Sequence, residues 1–204
     1  MKKMSALILA LALCAAPAFA EAAPQPSPEA AFAPTDSTIL VACFSATGNT
    51  WPLAEYAAEF LNADLFRIEP EIPYTEADLN YGDSASRANR EMNDETSRPA
   101  LKATVENVAQ YDTILLGFPI WWGQAPRLIE TFIEAHDLSG KTILPFCTSG
   151  GSGYGQTGEI LAALTDETVT WLEGRRFPAS ATAEEIAAWL QEMAIEPYAP
   201  SEEE

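Results

Sequence analysis

From residue 38 to residue 190, short apolar runs alternate with segments whose apolar residues recur at helical spacing, and nothing else in the sequence constrains the fold as tightly. The apolar runs at residues 38–44, 63–68, 113–118, 142–148 and 168–172 read as five strands. Between and after them, helices are predicted over residues 51–61, 125–135, 157–164 and 182–194. Leu53, Tyr56, Ala57, Phe60 and Leu61 mark the inner face of the first, and Leu128, Ile129, Phe132 and Ile133 that of the second. Regular alternation of this kind specifies an α/β chain with a parallel sheet and right-handed crossovers. The first run is apolar at nearly every position, as a strand covered on both faces must be.

Ligands of such sheets bind outside the carboxyl ends of the strands, where the strand order reverses. Strands 1, 3 and 4 end in the three most unusual loops of the sequence. After strand 1 comes Ser45-Ala46-Thr47-Gly48-Asn49-Thr50, which runs straight into a helix with Pro52 in its first turn, where a missing N–H costs nothing. Unpaired amides of a first helical turn, three hydroxyls, the Asn49 amide and a glycine that permits close approach make an anion site. A nucleoside-triphosphate loop would carry a lysine there, yet no Lys or Arg occurs between Lys3 and Arg67. Neutral donors alone suit the terminal monoester of a larger ligand that is gripped elsewhere as well.

The loop after strand 3 is Pro119-Ile120-Trp121-Trp122-Gly123-Gln124. Two adjacent tryptophans are costly to display unless they cover a flat ligand or a partner. Consecutive side chains of an extended loop point opposite ways, so one ring is expected to face the ligand and the other the protein. The loop after strand 4, Thr148-Ser149-Gly150-Gly151-Ser152-Gly153-Tyr154-Gly155, offers backbone amides to a planar ring through its glycines. Gly153, Gly155 and Gly158 also spell G-x-G-x-x-G, with Glu173 following at the distance of a dinucleotide fingerprint. That reading is the weaker one, because four residues separate the strand end from the first glycine and the loop at Ser45 already fills the phosphate function.

Ser45, Thr47, Gly48 and Thr50 match [ST]-x-T-G-x-T, and the chain from residue 38 to residue 190 resembles the flavodoxins. The Thr-Ser-Gly-Gly-Ser-Gly run together with the Pro-x-Trp-Trp loop is similar to flavodoxin-like oxidoreductases. The resemblance implies a doubly wound five-stranded parallel sheet in the order 2-1-3-4-5, and flavin mononucleotide (FMN) as cofactor. It implies cofactor contacts from Ser45, Thr47, Gly48, Asn49 and Thr50, from Pro119, Ile120, Trp121, Trp122 and Gly123, and from Thr148, Ser149, Gly150, Gly151, Gly153 and Tyr154. It also places the long polar connection 69–101, with a helix expected around residues 84–96, beside the flavin. Tyr81 is a possible contact there, although an ordinary surface tyrosine fits its sequence context better. The implied role is a carrier passing single electrons between protein partners. The competing readings are an FMN-dependent NAD(P)H:quinone or nitro reductase of the same fold and a flavin-free binding module that uses the Trp121–Trp122 surface.

Met1-Lys2-Lys3, the apolar run 4–16 and Ala18-Phe19-Ala20 have the three parts of a secretory signal peptide, with cleavage expected after Ala20. The run is too short to span a bilayer. A lipoprotein reading through Cys14 fits less well, because Leu13 precedes it where a small residue is wanted. Residues 21–36 form an Ala- and Pro-rich tether, residues 37–196 the folded domain and residues 197–204 an acidic tail. All 30 acidic residues lie beyond Ala20, whereas two of the 11 basic ones precede it, so the processed chain carries 9 − 30 = −21. Such a balance argues against nucleic acid as a partner and favours basic redox partners.

With strand order 2-1-3-4-5, strand 3 separates Cys43 from Cys147. Two strand spacings, roughly 9.6 Å, exceed the roughly 7 Å reach of a disulfide, so both are expected as buried thiols. One histidine and the two scattered cysteines beyond Ala20 cannot make tetrahedral zinc. His136 ends a helix, and a bond to its last carbonyls is expected rather than acid–base catalysis. A bound flavin would carry the reaction.

Overall fold

A computed structural model describes residues 36–198. The expected signal peptide, the tether up to residue 35 and the tail from residue 199 lie outside the described residues. No described helix is long and apolar enough to cross a membrane.

Strand β1 (Ile39–Cys43) is buried along its whole length. It lies between β2 (Asp64–Arg67) and β3 (Thr113–Pro119), and β4 (Thr142–Thr148) follows β3. The fifth position is shared by β5 (Thr170–Trp171), which pairs with Thr142 and Ile143, and β6 (Arg175–Phe177), which pairs with Phe146, Cys147 and Thr148. Every pairing is parallel, and the order is the expected 2-1-3-4-5 with one added strand. Residues 168–172 were expected to form one strand; its regular part is only Thr170–Trp171, and β6 was missed. The chain breaks at Leu172-Glu173-Gly174, where Gly174 lies so close to the Tyr154 ring that a Cβ would overlap it.

Alternation along the strands divides the core in two, as a sheet covered on both faces requires. Ile39, Val41, Cys43, Leu115 and Leu144 face α1 (Trp51–Leu61) and α5 (Ala183–Glu192). Leu40, Ala42, Ile114, Leu116 and Ile143 face α3 (Arg127–Glu134) and α4 (Thr157–Ala162). Helix α1 has the expected bounds, and Asn62 ends it in the left-handed conformation. Helix α3 starts two residues later than the pattern suggests, because Pro126 stands at its N-cap in an extended conformation. Cys43 and Cys147 are buried and unbridged, with β3 between their strands.

The connection 69–101 is folded back on the domain. Pro70 bridges to Leu101, and Ser86 caps α2 (Arg87–Asn93) by accepting the Asn89 N–H. Tyr74 fixes the segment from the inside, since its ring meets Trp121 edge-on at 5.2 Å and its hydroxyl donates to Glu91.

Candidate functional site

The loops that leave β1, β3 and β4 meet above the carboxyl edge of the sheet around a crevice of about 350 Å³. Thr47 and Asn49 line it from the first loop, Pro119, Ile120 and Trp121 from the second, and Thr148, Ser149 and Gly150 from the third.

The first loop is held open by its own side chains. Ser45 Oγ accepts the Thr50 N–H at 3.0 Å, and Asn49 Nδ2 donates to Thr47 Oγ1 at 3.1 Å. Gly48 sits at φ +83°, in the left-handed region that glycine adopts without cost. The Thr47, Gly48, Asn49 and Trp51 amides donate to no group among the described residues, so donors are left over at the start of α1. Thr50 differs from its neighbours: it is fully buried, and its hydroxyl bonds to that of Thr148. Arg67 stands beside this loop, its guanidinium carbon over the Trp51 ring at 3.6 Å from the centroid.

The second loop is a tight turn closed by reciprocal backbone bonds between Trp121 and Gln124 at 2.9 and 3.1 Å. Its two central residues, Trp122 at φ +47° and Gly123 at φ +84°, both lie in the left-handed region. That geometry throws the adjacent tryptophans apart, through a tight left-handed turn rather than the extended loop expected. Trp121 is 3% exposed and wedged against Phe44 and Tyr74, while Trp122 is 41% exposed. A bulky side chain at positive φ is uncommon and costs backbone energy. Here Trp122 stacks on Tyr81 at a centroid distance of 4.4 Å, and Tyr81 lines the crevice. The 69–101 segment therefore supplies one wall of the crevice through Leu79 and Tyr81, the latter a residue whose sequence context favoured an ordinary surface tyrosine.

The third loop is tied to the second by the Ile120 N–H, which donates to the Thr148 carbonyl at 2.8 Å. Gly151 N–H donates to Ser149 Oγ at 3.2 Å, and Arg176 Nη2 donates to the Ser149 carbonyl at 2.8 Å. Gly151 and Gly153 are exposed and lie outside the crevice lining. Tyr154 turns into the core instead, between Gly158 and Gly174, with its hydroxyl buried and unpartnered, and burial raises its pKa. The run Gly153, Gly155, Gly158 thus includes a glycine whose packing serves a tyrosine. Leu79 and Ala179 also line the crevice and were missed by sequence reasoning. Ala179 follows β6, whose polar Glu173-Gly174-Arg175-Arg176 approach conceals a strand, and Leu79 sits in an irregular segment without periodicity.

Burial pushes the Cys43 thiol up, outweighing Arg67, and the Cys147 thiol up to about 12, outweighing Arg176. Neither is a nucleophile at neutral pH. His136 Nε2 accepts the Val105 N–H at 2.9 Å while Nδ1 faces the Phe132 carbonyl at 2.7 Å, so the ring is neutral and structural.

The flavodoxin family profile matches residues 38–193. A candidate flavoprotein from Bacteroides eggerthii is 45% identical, with 78% of this chain and 99% of that one covered at a TM-score of 0.73. A second, from Bacteroides uniformis, is 44% identical over 76% of this chain and 97% of its own, at 0.72. A flavoprotein of Lactobacillus acidophilus solved in complex with FMN is 19% identical, covers 68% of this chain and 92% of its own, and shares the fold at 0.55. No curated protein matches the chain. On the profile match and the two Bacteroides structures, the chain belongs to the flavodoxin family.

Proposed function

We propose that the crevice binds FMN and that the protein serves as an exported electron carrier. One observation carries the cofactor reading: a loop rich in unused neutral donors and a loop that contributes Ile120 and Trp121 border the same crevice, while Trp122 lies outside its lining and stacks on Tyr81, which lines it. Its volume of about 350 Å³ falls within the roughly 300–1,000 Å³ of small-molecule sites. The Lactobacillus acidophilus neighbour, solved with FMN, supports the choice of ligand.

In this reading Thr47, Asn49 and the free amides of residues 47–49 and 51 hold the phosphate, aided by the positive end of α1. Trp121 and Ile120 form an apolar floor that excludes water, and Tyr81 with Trp122 covers the exposed side. Thr148, Ser149 and Gly150 present backbone groups to the polar edge of the ring. Bound there, FMN supplies reversible electron transfer. The described residues include no group of metal-binding type, and neither thiol is poised for chemistry. The acidic chain suits partners with a basic docking face.

The test is equilibrium titration of the purified protein with FMN and riboflavin, followed by anaerobic reduction. Tight FMN binding with weaker riboflavin binding is expected, and so is electron uptake that needs a separate reductase protein. No flavin binding would assign the crevice to another ligand, and direct bleaching by NAD(P)H would make the protein a two-electron reductase.

A further inference from the structure

We infer that Arg176 is a positioning residue that biases the crevice toward the more negatively charged redox state of its flavin. This rests on the FMN reading above. Arg175 and Phe177 point to the α5 side of β6: Arg175 pairs with Glu192 at 3.0 Å, and Phe177 packs on Trp189 at 5.1 Å. Arg176, between them, points to the other face and reaches the loop after β4. Its Nη2 donates to the carbonyl of Ser149, whose residue is part of the crevice wall.

The contrast between the two arginines is electrostatic. Arg175 is neutralised by its carboxylate, whereas among the described residues no carboxylate pairs with Arg176. Among the described residues Arg67 and Arg176 both stand beside crevice loops without a carboxylate ion pair, and of the two it is Arg176 that is bonded to a crevice-lining residue. Its field reaches inward, since it offsets part of the burial effect on the Cys147 thiol, its partner across the ladder.

Oxidised isoalloxazine is neutral. Uptake of two electrons and one proton leaves one net negative charge on the ring, so a guanidinium held just behind the crevice wall, on the Ser149 carbonyl, stabilises the reduced form over the oxidised one. Because Arg176 is exposed, water and salt screen the effect. At separations of several ångströms it amounts to about threefold to tenfold in the ratio of affinities for the two forms. The upper end corresponds to about 30 mV for a two-electron couple.

The experiment measures the two-electron potential of the FMN-loaded full chain against a reference dye, for wild type, Arg176→Gln and Arg176→Lys, at low and high ionic strength. Glutamine can still donate to the Ser149 carbonyl but carries no charge. The inference expects Arg176→Gln to lower the potential, Arg176→Lys to stay near wild type, and the gap to shrink in salt. An unchanged potential in Arg176→Gln overturns it, as does an equal, salt-independent drop in both variants, which would mean that the guanidinium only braces the loop. If Arg176→Gln does not fold, Arg176→Met takes its place and is read in the same way, an unchanged potential overturning the inference. Failure of the wild type to bind FMN is a separate outcome that removes the cofactor reading itself.

Discussion

The hydroxyls of Thr50 and Thr148, 98 positions apart in sequence, lie 2.8 Å from one another and join the loop after β1 to the last residue of β4. Both residues are buried, so the bond is shielded from water and neither hydroxyl has a ready substitute. Thr47, three residues earlier, is exposed and lines the crevice. Two threonines of one short loop therefore have separable roles.

Thr50→Val strands the Thr148 hydroxyl and is expected to cost about 1–3 kcal/mol of stability. Thr47→Val touches nothing in the core and is expected to leave stability within about 0.5 kcal/mol, while weakening FMN binding about tenfold or more through the loss of a donor to a charged group. Urea denaturation and flavin titration of the two variants check the separation. Loss of stability in Thr47→Val with unchanged binding would reverse the assignment.

The adjacent tryptophans are expected to diverge just as sharply. Trp121→Ala empties a cavity between Phe44 and Tyr74 and should cost about 3–5 kcal/mol. Trp122→Gly forfeits the stack on Tyr81, worth about 0.5–1.5 kcal/mol, but relieves a side chain held at φ +47°. Its stability should stay near wild type while FMN affinity falls, as thermal unfolding and flavin titration would show.

Much of this was legible beforehand. Strand-to-helix alternation gives a parallel sheet because buried parallel strands must be apolar on both faces; its order came from the family resemblance, and the residues at the strand tips stand out by composition alone. Thr50–Thr148, Tyr81–Trp122 and Arg176–Ser149 were not legible, because each joins segments whose approach depends on the tertiary path. Strand β6 escaped for a local reason: two of its three residues are exposed arginines, so no periodic signal marks it. Tyr154 was misleading in its turn, since a tyrosine in a glycine-rich loop reads as a ligand contact until Gly158 and Gly174 are seen on either side of it.

His136 gives a pH prediction. Burial lowers its pKa below the ordinary 6.5, against the weaker opposing effect of the Phe132 carbonyl. The unfolded chain therefore binds the proton more readily than the folded one. The stability contributed by neutral His136 is complete above about pH 6.5 and is lost as pH falls through the depressed folded value. Protonation at Nε2 would remove the acceptor of the Val105 N–H. Urea midpoints between pH 7.5 and 5 should fall more steeply for wild type than for His136→Gln. All other titratable groups are common to both proteins, and equal slopes would remove the histidine from the account.

The clamp around Tyr154 yields a prediction in which two neighbouring substitutions act oppositely. A Cβ on Gly158 would stand 2.8 Å from the Tyr154 hydroxyl oxygen, and one on Gly174 2.6 Å from it and 2.7 Å from ring carbon Cε2. These are overlaps with a ring that glycines flank on both sides and whose hydroxyl is buried without a partner. Gly174→Ala should therefore destabilise the protein by about 1–3 kcal/mol and, by displacing Tyr154 in the same loop as Ser149 and Gly150, weaken FMN binding. Tyr154→Phe deletes a buried hydroxyl that has no bond to lose, so stability should hold or rise by up to about 1 kcal/mol with FMN affinity unchanged. Calorimetry and flavin titration of both variants decide between packing and ligation. A marked drop in FMN affinity for Tyr154→Phe would show that the hydroxyl reaches the ligand after all, and that the loop must rearrange when the flavin binds.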